Sequence, residues 1–454
     1  MTPYPDPVKL RAQLEQAAPV LWAEVSTLAN GWTAPIFDGL KRRGESPSYP
    51  KSFNDPVWGT IELLPWETIL LDSPLLQRLR GIRQLGTAHY VYPGASHSRL
   101  EHSLGVVEAS ERIIQSLKRN AAYRRQFDRD PDVSIPDPSR MDVLSIRLAA
   151  LLHDIGHGSF SHVTEPLLRD QFPEPFDRVK ELLQSTFGGA QDIATSEIVA
   201  VLLVMTDAMG RVFTHEHFSA PLTNRAELPV AIAAHIIGSR SCLNATYLSG
   251  VISGPLDADK LDYMARDCYH AGLPLAIHAS RLINKLEVVT ITPDNTSIPT
   301  LRKRVEATEA KRIYEIGISL SGLSAYEQMI VGRVMLYDRL YYHHKVRSAE
   351  SMIRRLIKVA GSERGRQLKL SDFFQRAPDD AMILLWNWGH LSNDPSSQHD
   401  RAYKLGDALL TRTLHHRAFA FAARFIELNG GAEDDKVLLW NTVLIKAQTL
   451  RGCD

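Results

Sequence analysis

His153-Asp154 closes an apolar run and is followed by Ile155-Gly156-His157-Gly158. An imidazole and a carboxylate side by side where a helix stops can both turn toward one ion, and the glycines let backbone approach closely. Alone, the dipeptide equally fits a capping Asp beside a core His. Two other segments supply further ligands: His102, within His97-Ser98-Arg99-Leu100-Glu101-His102-Ser103, and the later run Asp257-Ala258-Asp259-Lys260-Leu261-Asp262-Tyr263. A His from one helix, a His-Asp pair from a second and an Asp from a third make a mixed nitrogen and oxygen site with room for water. Such a site suits a catalytic Fe, Mn, Zn or similar divalent ion. A structural zinc site would want thiolates, and none is nearby.

The elements that must position these residues read as mostly α, a helical core with a small β element and a helical C-terminal region. Leu104, Val107, Ile114 and Leu117 fall on one stripe at helical spacing, as do Leu144, Leu148, Leu151 and Leu152 within Met141–Leu152. Residues 1–50 read as a peripheral helical extension and loop. Asp6-Pro7 is a plausible helix start, Leu10, Leu14 and Leu21 form a loose stripe interrupted by Pro19, and Gly39–Pro50 reads as a connector. Asn120–Arg140 and Gln171–Asp192, with their prolines and the Gly188-Gly189 pair, read as irregular surface insertions. A strand is expected at Leu286–Thr292, with a helical segment resuming through Tyr314–Leu356. Helical stripes continue in the last hundred residues, as at Ala418–Leu428. The implied division is 1–50, a core at 51–350, and 351–454.

The 454 residues are 44% hydrophobic and 23% charged, which excludes wholesale disorder, a collagen-like repeat and a disulfide scaffold. Lys plus Arg and Asp plus Glu are both 52. A neutral chain argues against long nucleic acid as the main partner and makes any phosphate recognition local. Cys242, Cys268 and Cys453 form no metal-type pair and read as reduced thiols of a cytoplasmic protein. No apolar run approaches a bilayer span, and MTPYPDPVKL lacks the pattern of a secretory signal.

The order His, His-Asp, Asp resembles the HD-domain phosphohydrolases. Longer stretches resemble the SAM-and-HD-domain deoxynucleoside triphosphate triphosphohydrolases. These are Phe53-Asn54-Asp55-Pro56, Asp72-Ser73-Pro74, Gln77-Arg78-Leu79-Arg80, Gln84-Leu85-Gly86, Tyr90 to Gly105 with Pro93-Gly94-Ala95-Ser96-His97-Ser98-Arg99 inside it, His153 to His162, and Asp257 to Cys268. The likeness covers roughly residues 51–350, and the first 50 residues show no SAM-like pattern. It implies His102, His153, Asp154 and Asp259 as metal ligands. Asp257 competes for the last place, Asp259 being preferred because it immediately precedes the Lys260 that the family uses on phosphate. It implies His157 and His162 as catalytic histidines and Glu165 as the carboxylate that orients one of them. Gln84 and Leu85 would meet the deoxyribose, while Arg99, Lys260, Tyr263 and Asp267 would hold triphosphate and sugar. Taken singly, Arg99 and Lys260 also fit surface ion pairs, and Tyr263 a core residue with a tethered hydroxyl.

The resemblance implies release of deoxynucleoside and inorganic triphosphate, with a divalent metal in the HD site and Mg2+ carried on the substrate phosphates. The alternatives are an HD phosphodiesterase or phosphatase acting on another nucleotide or a nucleic-acid end, and a weakly catalytic nucleotide sensor. One departure stands out. The family has a further His-Glu after the HD segment, and here the counterpart is Thr195-Ser196-Glu197, with Ser where the His belongs. Ser196 also fits a plain helix N-cap, and His215 or His217 could substitute for the lost imidazole. The family binds an activating guanine nucleotide where subunits meet, which implies a homo-oligomer, dimer or tetramer. Lys51, Asp72, Gln77 and Arg80, with Tyr342, His344 and Lys345, occupy the matching positions. Asp72 also fits the start of a helix, paired with Arg80.

Overall fold

The computed structural model describes residues 4–43, 50–127, 135–188, 192–215, 222, 224–239, 245–275, 277–306, 308, 311–363, 368–386 and 401–415. The described chain is predominantly helical, with two small antiparallel two-stranded sheets. Helix α1 (Pro7–Ala17) begins where Asp6 Oδ1 accepts from the amides of Val8 and Lys9 at 2.8 and 3.0 Å, with Pro7 at the first position, where its missing N–H costs nothing. Pro19 opens α2 (Pro19–Arg43) directly after it. Leu10, Leu14, Leu21, Val25, Ile36 and Leu40 are fully or almost fully buried, so these first two helices belong to the core and not to its periphery. The connector expected from Gly39 starts later, since helix continues through Arg43.

A hairpin absent from the expectations, β1 (Lys51–Asp55) and β2 (Gly59–Leu63), turns through Gly59 at φ +81° and buries Ile61 and Leu63. Short helices α3 (Pro65–Leu71) and α4 (Pro74–Gln77) lead to the long α5 (Arg99–Phe127). Helix α5 absorbs the start of the stretch expected to be irregular, and residues 128–134 lie outside the described set. Helix α6 (Arg140–Leu152) is capped reciprocally, Ser139 Oγ accepting from the Asp142 amide while the Asp142 carboxylate takes the Ser139 amide. Gln171–Asp192 is mostly ordered helix. After α7 (Glu165–Gln171), α8 (Pro173–Phe187) places Pro173 and Pro175 in its first turn, where proline is tolerated, and buries Phe176, Val179, Leu183 and Phe187 at helical spacing.

Helices α9 (Thr195–Met205) and α11 (Leu228–Ile236) are apolar nearly all round, as befits helices enclosed by others, while α10 (Asp207–Thr214) between them buries Ala208, Met209, Val212 and Phe213 and exposes Asp207 and Arg211. Helix α12 (Ala258–Ala271) follows, then α13 (Ala279–Asn284). The expected strand is β3 (Leu286–Ile291). Its partner is β4 (Ile313–Ile318), in register from Leu286 opposite Ile318 to Ile291 opposite Ile313, with α14 (Pro299–Glu306) between them. The segment from Tyr314 is therefore strand, because its alternating β-branched residues pair with β3, and helix resumes only at α15 (Leu323–Leu336). A wider turn at Tyr337–Tyr341 separates it from α16 (His344–Glu363). Three further helices close the described chain: α17 (Leu370–Phe373), α18 (Asp379–Trp386) and α19 (Arg401–Leu410). Ala418–Leu428 lies outside the described residues, as do Cys242 and Cys453, while Cys268 is a buried free thiol. Among the described residues, no helix is long and apolar enough to cross a membrane.

Candidate active site

Three helix ends meet at one point. The first turn of α5 presents Arg99 and His102, the 3₁₀ turn that follows α6 presents His153 and Asp154, and the first turn of α12 presents Asp259. His102 Nε2 lies 3.3 Å from His153 Nε2 and 2.9 Å from Asp259 Oδ1, and His153 Nε2 lies 3.8 Å from the same oxygen. The other nitrogen of each ring is already engaged, His102 Nδ1 with Asp262 Oδ2 at 2.7 Å and His153 Nδ1 with the Ala150 carbonyl at 2.8 Å. Two Nε2 atoms are thus pointed at each other and at a carboxylate, at separations that suit a divalent ion about 2.0–2.2 Å from each ligand. The donor set fits a metal.

Asp154, the fourth expected ligand, stands at the rim of this group. Its Oδ1 is 3.4 Å from His153 Nε2 and its Oδ2 3.9 Å from His102 Nε2, while Oδ2 accepts from Arg99 Nη1 at 2.7 Å. Burial opposes its charge, but the Arg99 guanidinium and then the nearby imidazoles outweigh burial and hold the carboxyl well below the usual range. Asp257 is differently employed: it N-caps α12, accepting from the Lys260 amide at 2.7 Å, and pairs with Lys260 Nζ at 2.6 Å.

A second cluster lies beside the first. His157 Nε2 is 3.3 Å from Asp154 Oδ1, and its Nδ1 is 3.0 Å from Glu165 Oε1, which also accepts from His162 Nδ1 at 2.7 Å. Phe160 and Ser161 both adopt left-handed backbone, φ +62° and +59°, which turns the chain so that the His162 ring meets His157 edge-on at 4.7 Å between centroids. Burial works against the Glu165 charge, yet the His157 and His162 rings that face it, the latter through a hydrogen bond, pull its pKa far below the ordinary value.

Both clusters open into one cleft of about 440 Å³ whose walls include Gln84, Leu85, Arg99, Lys260, Tyr263 and Asp267. Arg99 is buried, not a surface ion pair, and its Nη2 has no hydrogen-bond partner among the described residues. The buried Gln84 Oε1 is likewise unpartnered among them. Asp267 is already held on both oxygens, by His97 Nε2 at 2.9 Å and by the Tyr341 hydroxyl at 2.6 Å. Ser196 and Glu197 line the same cleft, but Ser196 is not the cap of α9. Ala194 is, and the Glu197 carboxylate accepts its amide at 2.8 Å. Burial pushes the Glu197 carboxyl up to about 7. His215 does not line the cleft; its ring faces Phe37 on α2, and His217 lies outside the described residues.

The residues matched to an activator site fall in two stretches, and Tyr342 of the second also lines the cleft. Lys51 Nζ is 3.4 Å from Asp72 Oδ1, and Arg80 Nε donates to Gln77 Oε1 at 3.3 Å. Asp72 is the C-cap of α3 and does not start a helix; that place belongs to Ser73 before α4. Tyr342 is exposed, and with His344 and Lys345 it stands at the start of α16.

Two supporting residues escaped the sequence reading. Asp262, fully buried one turn after Asp259, accepts from His102 Nδ1, Trp58 Nε1 at 2.6 Å, and Arg266 Nε and Nη2 at 2.9 and 2.8 Å. Its presence in the quoted run was the available signal. Arg78 offered the same signal, standing in Gln77-Arg78-Leu79-Arg80: its buried guanidinium donates to the carbonyls of His157 and Ile155 and stacks on Trp32 of α2 and on Phe374.

Comparison with known proteins finds a family match in part of the chain. Residues 99–232 match the family described as the HD domain. The chain is 34% identical over 245 residues to the deoxynucleoside triphosphate triphosphohydrolase SAMHD1 of Xenopus laevis, covering 50% of this chain and 35% of that protein. For the human SAMHD1 the figures are 33% over 248 residues, 53% and 36%. An uncharacterised protein, MJ1154 of Methanocaldococcus jannaschii, is 28% identical over 320 residues, covering 70% of this chain and 52% of that one. The match spans about a third of the length of the SAMHD1 relatives. The chain therefore carries an HD domain of the kind that supports metal-dependent phosphohydrolases, and it resembles SAMHD1.

Proposed function

We propose that this chain is a metal-dependent phosphohydrolase that cleaves deoxynucleoside triphosphates to deoxynucleoside and inorganic triphosphate. The observation that carries the reading is the pair of opposed Nε2 atoms of His102 and His153 beside Asp259, next to a second cluster of two histidines sharing the Glu165 carboxylate. A divalent ion held by His102, His153, Asp154 and Asp259 supplies positive charge to a phosphoryl oxygen and a water of lowered pKa. The protein does the rest. Arg99 directs a free N–H toward the phosphates, and Lys260 is released from Asp257 to meet them. His157 or His162 gives its proton to the leaving oxygen, and Glu165 holds both rings in place for that transfer. Tyr263 and Asp267, with Gln84 and Leu85, bound the sugar. Mg2+ accompanies the substrate phosphates.

All residues lining the cleft fall between 84 and 350, which supports a functional core at 51–350 flanked by 1–50 and 351–454. Around that core we place activation by a guanine nucleotide or dNTP at Lys51, Asp72, Gln77, Arg80, Tyr342, His344 and Lys345. Self-association is supported by the apolar face that α15 leaves uncovered, with Leu323, Ile330, Val331, Val334 and Met335 exposed. The setting is cytoplasmic.

The test is a panel of dNTPs with Mn2+, followed by ion chromatography. Tripolyphosphate is the expected product. Pyrophosphate or orthophosphate would instead select a phosphodiesterase or phosphatase, a reading that Ser196 in place of the family's His favours. No turnover would leave a sensor.

A further inference from the structure

The second cluster has a property that proton transfer does not need. His157 is buried, and its Nδ1 lies 3.0 Å from Glu165 Oε1 but off the line of a hydrogen bond, so that this nitrogen has no hydrogen-bond partner among the described residues. Its Nε2 faces Asp154 Oδ1 at 3.3 Å. With Nε2 turned to Asp154, Nδ1 is the ring nitrogen left to face Glu165 and His162 as a ligand atom. His162 Nδ1 reaches the same Oε1 at 2.7 Å, and the three ligand atoms lie within 4.8 Å of one another.

Two imidazoles and one carboxylate, with a fourth position open to the cleft, form a donor set of the type that holds zinc in hydrolytic enzymes. Ligands about 2.0–2.1 Å from a tetrahedral ion stand about 3.3 Å apart. The observed 2.7 and 3.0 Å separations need only a small outward movement. His162 is free to make it, its side chain being 71% exposed at the mouth of the cleft. Binding displaces the proton that His162 Nδ1 donates to Glu165, so the ion competes with one proton.

We propose that His157 Nδ1, His162 Nδ1 and the Glu165 carboxylate form a second cation site, separate from the His102, His153 and Asp259 group, which takes a zinc-type transition-metal ion. Filling it occupies the lone pairs of both histidines that the proposed reaction uses, so the site is inhibitory; that consequence rests on the function proposed above, while the site itself rests on geometry alone.

The full chain, stripped of metal by a chelator, is titrated with Co2+ while its visible d–d absorption is followed. Bound Zn2+ is then counted by elemental analysis after gel filtration. The expected result is two equivalents in the parent chain and one in His162→Ala and in Glu165→Gln. His162 is exposed, so its truncation leaves the fold intact, which circular dichroism checks. One equivalent in the parent, or a second equivalent unchanged in both variants, overturns the site whether or not the chain hydrolyses dNTPs. In the parent loaded with one equivalent of Mn2+, filling by Zn2+ is expected to lower dNTP turnover at least tenfold. Unchanged turnover with the second site filled would overturn the inhibitory role.

Discussion

Asp262→Asn is a perturbation whose consequence follows from counting donors. Asp262 Oδ1 accepts from Trp58 Nε1 and Arg266 Nη2, and Oδ2 from His102 Nδ1 and Arg266 Nε. All four donors are fixed in a fully buried place. An amide offers one oxygen and one NH2, so either orientation sets the NH2 against two donors. If it faces Trp58 and Arg266, both lose their acceptor; if it faces His102, the ring loses the contact that fixes its tautomer and aims Nε2 at the metal group. Arg266 also loses its buried counter-charge, keeping only Asp55 Oδ2 at 2.8 Å. Breaking a buried pair of this kind costs about 3–5 kcal/mol of stability. Loss of a partner behind a ligating imidazole weakens metal binding about 10–100-fold. Urea unfolding reads the first effect, and competition with a chromophoric chelator for Zn2+ or Mn2+ reads the second. Trp58→Phe is the control, since it removes one donor from Oδ1 and leaves the His102 contact; it is expected to bind metal within about twofold of the parent, as only the ligand's own partner governs affinity. Metal binding by Asp262→Asn as tight as the parent's, or an equal weakening in Trp58→Phe, would refute a coupling through the His102 contact.

Three other outcomes are expected. Burial opposes a charge on His102, but hydrogen bonds to Asp259 and Asp262 outweigh it and push its pKa up to about 10, so a metal must displace a proton near neutrality, and affinity should fall about tenfold per unit as pH drops from 8 to 6; calorimetry in buffers of different ionisation enthalpy should register close to one proton released. His235 is wholly buried with neither ring nitrogen hydrogen-bonded among the described residues, and burial pushes its pKa down to about 3. Below about 6.5 the unfolded chain binds a proton that the folded one refuses, so stability should fall by about 1.4 kcal/mol per unit of acidification down to about pH 3, and urea titrations of His235→Leu should lack that slope. Ser196→His should raise turnover if the cleft uses the family's arrangement with one part missing; an unchanged or lower rate in steady-state assays would mean that the cleft is organised around other groups.

The residues that converge on the metal group were legible in two ways: His102 and the His153-Asp154 pair sit at the ends of helices whose apolar stripes are visible, while the choice of Asp259 over Asp257 came from the family resemblance alone. The role of Asp262 was not legible, since it depends on Trp58, 204 positions away, reaching the same oxygen. Helix α8 was obscured because its prolines occupy the one turn that tolerates them, and β4 because its apolar residues fit helix or strand until β3 supplies a register. Ser196 looked like a cap on residue type; the extended backbone that a cap requires belongs to Ala194.

The left-handed pair Phe160-Ser161 ties the cleft to an order of events in synthesis. The Phe160 amide is held by Asp379 Oδ1 at 2.8 Å, Asp379 Oδ2 takes the Arg83 amide at 3.0 Å, and the Ser159 amide donates to the Phe373 carbonyl at 2.9 Å. Non-glycine residues leave this backbone region spontaneously, at a gain of roughly 1–2 kcal/mol each, unless their surroundings hold them. The clamp comes from α17 and the start of α18, and Asp379 follows Phe160 by 219 positions. At about 5–20 residues per second, a ribosome delivers it on the order of 10–40 s after Phe160. The metal ligands are all encoded by residue 259, so a nascent chain can gather its ion well before His162 is aimed.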